Sequence, residues 1–228
     1  RHSSSAASDV YKRQLKLRTG YHVAAKTADR PNLTLSCQQL ASGLGTVLRD
    51  VAKSLNKNNG STLIYCSTRN EVESTAATLK QLAPQGTTIA AYHAGLGDDH
   101  RKQAHYDFLA GRVECVVATV AFGMGIDKPD VRRVIHVSPP KTLEEYYQQV
   151  GRAGRDGLPA SCVLYHSPTG FTRYESDFYK RGLEGAALDR YHASIRAMRA
   201  FAEKDSGCRR RHILQHFKEP IGDTWCCG

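Results

Sequence analysis

No run of this sequence approaches the roughly eighteen apolar residues of a membrane-spanning helix, and Arg1 to Gln14 lack the apolar segment of a secretory signal. No internal repeat is visible, which argues against solenoids and propellers. Acidic residues are outnumbered, 22 against 32 Lys+Arg, and the resulting formal charge of +10 favours a polyanionic partner such as nucleic acid. These absences lead us to expect a soluble intracellular chain without a membrane partner, nuclear in a eukaryote and cytoplasmic or nucleoid-associated in a bacterium.

At 228 residues the chain can bury one full core and carry a smaller appendage. Residues 1–14 have no apolar periodicity and read as a disordered or non-native arm. Short β-rich runs then alternate with helical patterns, which predicts an α/β fold with a parallel sheet and flanking crossover helices over residues 15–168. The predicted strands are Leu33 to Cys37, Leu63 to Cys66, Thr88 to Tyr92, Val113 to Ala118, Arg133 to Val137 and Ser161 to Tyr165. Gly45 to Leu55 reads as a helix, and Asp98 opens another carrying Ala104, Phe108 and Leu109. Thr68 with Glu71, and Thr142 with Glu145, have the Thr-x-x-Glu spacing of capping boxes that open further helices. Beyond Pro168 only helical spacing remains, so residues 169–228 are expected to form a separate helical unit.

Two segments carry candidate chemistry. In Gln148-Gln149-Val150-Gly151-Arg152-Ala153-Gly154-Arg155-Asp156-Gly157, two arginines three residues apart at a helix end would share one side of a turn and suit fork-like binding of phosphate oxygens. A solvated basic helix end capped by glycine is the alternative. In Val117 to Val131, a strand runs into a glycine loop bearing Thr119, Gly125 and Asp127, expected at the carboxyl edge of the sheet, where open α/β folds bind ligands. A tight turn is the alternative there.

Together with Asp29-Arg30-Pro31-Asn32-Leu33, Ile64-Tyr65-Cys66-Ser67-Thr68-Arg69 and Tyr92-His93-Ala94-Gly95-Leu96, these segments resemble the RecQ family of superfamily-two helicases. The resemblance runs from Asp29 to Cys208. It implies a RecA-like second motor lobe, followed by part of a helical zinc-binding subdomain, from an ATP-dependent 3′-to-5′ DNA helicase. In such a motor ATP and Mg2+ sit between two lobes, with single-stranded or branched DNA crossing both. Arg155 is then the arginine finger, Arg152 its partner on the phosphates, and Gln148, Gly125 and Asp127 are nucleotide or interlobe contacts. Ser67, Arg69, His93 and Thr119 would line the DNA backbone. For His93 a satisfied loop histidine, and for Arg69 a solvated charge, stay open as alternatives.

Neither a Gly-x-x-x-x-Gly-Lys-Ser/Thr phosphate loop nor an Asp-Glu-x-His box occurs in these residues. The motor would therefore need its first lobe as a partner, and the chain alone is expected to hydrolyse no ATP. Two other readings stay open: a nucleic-acid-binding module without motor activity, and another superfamily-two translocase.

Of the seven cysteines, Cys37, Cys66, Cys115 and Cys162 lie in or beside apolar runs and are expected to be buried thiols. By the resemblance Cys208, Cys227 and, less favoured, Cys226 would be zinc ligands in a site that these residues leave incomplete. A rival set joins Cys208 to His212 and His216 at four-residue steps on one helix face.

Overall fold

The computed structural model describes residues 29–41, 43–56, 59–122 and 126–219. The expectations for residues 1–14, Gly125, Cys226 and Cys227 lie outside them.

Six strands form one sheet: β1 (Leu33–Gln39), β2 (Ser61–Tyr65), β3 (Ile89–Tyr92), β4 (Cys115–Ala118), β5 (Val131–His136) and β6 (Ala160–His166). Their order is β1-β6-β5-β2-β4-β3, and every neighbouring pair is parallel. Helices α1 (Leu44–Ser54), α2 (Arg69–Leu82), α3 (Asp98–Leu109) and α4 (Leu143–Val150) are interleaved with the strands. After β6 come α5 (Pro168–Thr172), a 3-10 turn at Arg173–Glu175, α6 (Asp177–Lys180), α7 (Gly185–Ala202) and α8 (Arg209–His216).

Strands β2 and β4 are buried along their whole length, because helices cover both faces of a parallel sheet. Alternate residues of β2 feed two cores. Leu63 and Tyr65 join Phe108, Tyr146 and Val150 on one face, and Ile64 joins Leu48, Val72 and Leu79 on the other. Met198, Phe201 and Ile213 of α7 and α8 enter the first of these cores, so the C-terminal helices pack directly on the sheet domain.

Two expectations need correction. Cys37 is only partly buried, whereas Cys66, Cys115 and Cys162 are buried, and burial pushes those three thiols up to about 12. Helix α4 also stops at Val150, so Arg152 and Arg155 lie in the turns beyond it and not on one helical face. Glycine explains the path of those turns. Gly154 has φ +53°, and a Cβ there would meet Asn32 Nδ2 at 2.5 Å and the Leu158 carbonyl oxygen at 2.7 Å.

Candidate functional site

Tyr65, Ala118 and Tyr92, the last residues of β2, β4 and β3, are in register. The residues that follow them, Ser67, Thr119 and His93, therefore collect on the carboxyl edge of the sheet. Ser67 is held closely. Its amide donates to Glu71 Oε2 at 2.9 Å and to Ser138 Oγ at 3.1 Å, while the two serine hydroxyls are 2.8 Å apart.

Arg69 is exposed in the first turn of α2, and its guanidinium lies against Gly95, where a Cβ would meet Arg69 Nη1 and His93 Nδ1, each at 3.1 Å. His93 is buried and doubly bonded: its Nδ1 accepts from the Gly95 amide at 3.1 Å, so the ring proton sits on Nε2 and faces Glu73 Oε1 at 2.6 Å. The satisfied-histidine alternative thus describes its present contacts. The Thr119 amide donates to the Tyr92 carbonyl at 3.2 Å, tying two strand ends together.

The arginine segment meets the other end of the β4–β5 loop. Gly154 donates to the Val131 carbonyl at 2.9 Å and Asp156 to the Pro129 carbonyl at 3.3 Å, beside the start of β5. Thr119 directly follows β4 and Asp127 precedes β5, so the two stand toward opposite ends of this loop's sequence. Arg155 Nη1 donates to the Ile126 carbonyl and to Asp127 Oδ1, both at 2.8 Å. The Asp127 side chain is 88% exposed and that of Arg155 31%, so this pair stands at the surface.

Tyr65 joins the two ends. Its hydroxyl donates to the Phe122 carbonyl at 3.1 Å, and burial pushes its pKa to about 12 although the Arg152 and Arg155 charges pull it down. Both guanidinium groups therefore lie close enough to the ring to be felt.

Behind Tyr65, His136 stacks at 5.4 Å and meets Gln149 Oε1 through Nε2 at 2.7 Å. Desolvation lowers the His136 pKa to about 4, so it stays neutral near pH 7. Gln148, the expected contact, is exposed, while its neighbour Gln149 turns inward.

Sequence reading missed the residues that brace this segment. Arg30 Nη2 donates to the carbonyls of Ala153 at 2.9 Å and Gly154 at 2.8 Å, and Asn32 Nδ2 donates to those of Gly154 at 2.8 Å and Leu158 at 2.9 Å. Backbone carbonyls leave no signature in a sequence, so only the quoted Asp29-to-Leu33 resemblance pointed at these residues.

At the C-terminal end, Cys208 is the N-cap of α8, its Sγ accepting from the Arg211 amide at 3.4 Å. The rival metal set does not assemble. His216 Nε2 is bound to Glu144 Oε1 at 2.7 Å, the His212 ring packs edge-on against Phe201 at 5.6 Å, and the described residues contain no group of three His, Cys, Asp or Glu side chains that could hold a metal ion. The helix face is used for packing on α4 and α7 instead. Among the described residues, no helix is long and apolar enough to cross a membrane.

Residues 45–157 match the helicase conserved C-terminal domain. The chain is 37% identical over 191 residues to the ATP-dependent DNA helicase RecQ of Haemophilus influenzae, covering 84% of this chain and 30% of that protein. It is 39% identical over 215 residues to the mouse bifunctional 3′-5′ exonuclease/ATP-dependent helicase WRN, covering 87% of this chain and 15% of that protein. The chain belongs to the RecQ helicase family. It spans less than a third of the length of these curated relatives. A structure of Saccharomyces cerevisiae Dbp5 bound to RNA and ADP-BeF3 shares the fold with a TM-score of 0.59, at 20% identity, over 86% of this chain and 53% of that one. The sheet of this RecQ-family chain is thus the RecA-like sheet of a helicase C-terminal lobe.

Proposed function

We propose that this RecQ-family chain is the C-terminal motor lobe of a DNA helicase that couples ATP hydrolysis to 3′-to-5′ translocation and unwinding, with Arg155 as its arginine finger. The observation that carries this reading is the seating of Arg155. Its guanidinium is fixed by the Ile126 carbonyl and by Asp127, yet stays partly open at the surface. A cation held in advance at an open surface can meet a phosphoryl group presented by another lobe, and it stabilises the charge that spreads during transfer. Supplying it from a second lobe makes hydrolysis wait for closure. Arg152, beside Tyr65, would hold the neighbouring phosphate oxygens, and Gln148 and Asp127 would face the interlobe cleft. ATP and Mg2+ would enter with the phosphate-loop lobe.

Ser67, Arg69 and Thr119 at the carboxyl edge would carry the backbone of a single or branched DNA strand. His93 would hold the loop against which Arg69 lies. Cys208, with Cys227 and Cys226, would be zinc ligands; a thiol at a helix N-terminus that accepts a backbone amide suits a metal-bound thiolate.

The deciding experiment is Arg155→Ala in the intact parent helicase. ATP affinity should stay nearly unchanged while turnover falls by roughly 10²- to 10⁵-fold, and Arg155→Lys should recover little, because one ammonium cannot reproduce a planar fork. DNA binding should stay near that of the wild type. Weakened DNA binding with retained turnover would make the segment a nucleic-acid contact and overturn the assignment. The 228-residue chain alone should show no DNA-stimulated ATPase activity above its Arg155→Ala control.

A further inference from the structure

Phe178 is 81% exposed, the most exposed of the large apolar side chains among the described residues. It sits in α6 at the end of a row of rings. Phe178 packs edge-on to Tyr179 at 5.1 Å, and Tyr179 edge-on to Tyr174 at the same spacing. Tyr174 is buried; its hydroxyl donates to the Pro139 carbonyl at 2.8 Å and lies 3.5 Å from Ser67 Oγ. The row therefore runs from the floor of the Ser67 site out to solvent, and its outermost ring is the one left open.

Tyr174 and Tyr179 also line a cleft of about 130 Å³ with Ser67, Val120, Ser138 and Lys141. Val120 is 51% exposed at this cleft, and the Lys141 ammonium stands 4.7 Å from the centre of the Tyr191 ring. The cleft thus brings together the Ser67 and Ser138 hydroxyls, Lys141, the Glu145 carboxylate and the rings of Tyr174 and Tyr179. Hydroxyls and an ammonium beside aromatic rings suit a nucleotide strand, which offers phosphate oxygens to the former and a base to the latter. A protein partner fits less well, since such docking needs an apolar patch of several hundred Å², and the exposed large apolar side chains on this row and cleft are Phe178 and Val120 alone, in a chain of charge +10.

We propose that Phe178 is a stacking platform for an unpaired nucleobase of the strand that passes the Ser67 cleft. This rests on the DNA-binding reading above and adds to it a contact with a base, where the other assigned residues face the backbone. Because every base has a π face, the platform reads the absence of pairing and not the sequence.

The test uses the 228-residue chain with two labelled probes, an oligo-dT strand and an abasic strand of equal length. Phe178→Ala should weaken oligo-dT binding about tenfold and leave the salt dependence unchanged, because no phosphate contact is lost. On the abasic strand the variant and the wild type should bind equally. Phe178→Trp should keep the affinity, and its added fluorescence should be quenched by oligo-dT and not by the abasic strand. Wild-type affinity of Phe178→Ala for oligo-dT, an equal loss on both probes, or a shallower salt slope would each overturn the platform. If the wild-type chain bound neither probe, the DNA-binding reading itself would fall and the platform with it; failure of the Phe178 variants alone would remove only the platform.

Discussion

Helices α2 and α4 are opened by the same four-residue code and then meet different surroundings. Thr68 Oγ1 accepts the Glu71 amide and Thr142 Oγ1 accepts the Glu145 amide, both at 3.2 Å. Each glutamate reaches back to the amide of the residue before its threonine, Ser67 or Lys141, at 2.9 Å. Beyond the caps the likeness ends. Helix α2 lays Val72, Ala76 and Leu79 on an apolar core, whereas α4 places Tyr146 and Gln149 against His136. Glu71 also takes a hydrogen bond from Ser138 at 3.2 Å and an ion pair from Arg173 at 2.8 Å. A helix start is decided within four residues; what the helix end must do is decided by strands that arrive from far along the chain.

The largest expected difference between the two helices is in acid. His136, packed under α4, titrates near 6.5 when unfolded and about 4 when folded, because burial disfavours its charged form. A depressed histidine favours the unfolded chain once that chain becomes protonated. The stability is full above pH 6.5 and lost as pH falls toward 4, by about 3 kcal/mol over the window. His166 and His212 are shifted in the same direction, so the informative quantity is a difference. Urea midpoints of the wild type should fall more steeply between pH 7 and 5 than those of His136→Gln, which starts lower. Parallel slopes would mean that His136 is solvated in solution and that the core under α4 is no more acid-sensitive than the one under α2.

Next in size is the asymmetry between the two glutamates. Glu71→Ala removes bonds to Ser67, Ser138 and Arg173 together, and should cost about 2 kcal/mol. Glu145→Ala loses mainly the Lys141 amide and should cost about 1 kcal/mol. Chemical denaturation of the two variants checks the order. Glu71→Ala should also loosen Ser67 and weaken DNA binding, which Glu145→Ala should not do to the same degree. Equal costs would show that the tertiary bonds of Glu71 contribute nothing beyond the cap.

The same contrast explains what could be read from the sequence. The caps at Thr68 and Thr142, the alternation of strands and helices, and the resemblance of the quoted segments to RecQ helicases rest on local patterns, and the six strands fall within a few residues of the expected ones. The arginine segment was located, but its geometry was not. The spacing of Arg152 and Arg155 suggested a shared helical face, while the turns beyond α4 leave both near Tyr65 and tie Arg155 to Asp127. Tyr65 and Gln149 stood within the quoted segments, yet no role was assigned to either. Arg30 and Asn32 act on backbone carbonyls more than a hundred residues away, a pairing with no local signature.

The smallest predicted effect tests the shared part of the comparison. Thr68→Ala and Thr142→Ala each delete one side-chain acceptor from a helix N-terminus, and each should cost about 1 kcal/mol, because the lost bond and its length are the same. Thr→Ser at either position keeps the hydroxyl and should restore most of the loss. Functional readouts should nevertheless separate the pair. Thr68 lies between Ser67 and Arg69, so its alanine variant should lower oligo-dT affinity modestly, whereas Thr142→Ala should leave that affinity near the wild-type value. A stability loss at Thr142 several times that at Thr68, unrescued by serine, would show that the second threonine is held by packing of α4 and that the two helix starts are alike in sequence alone.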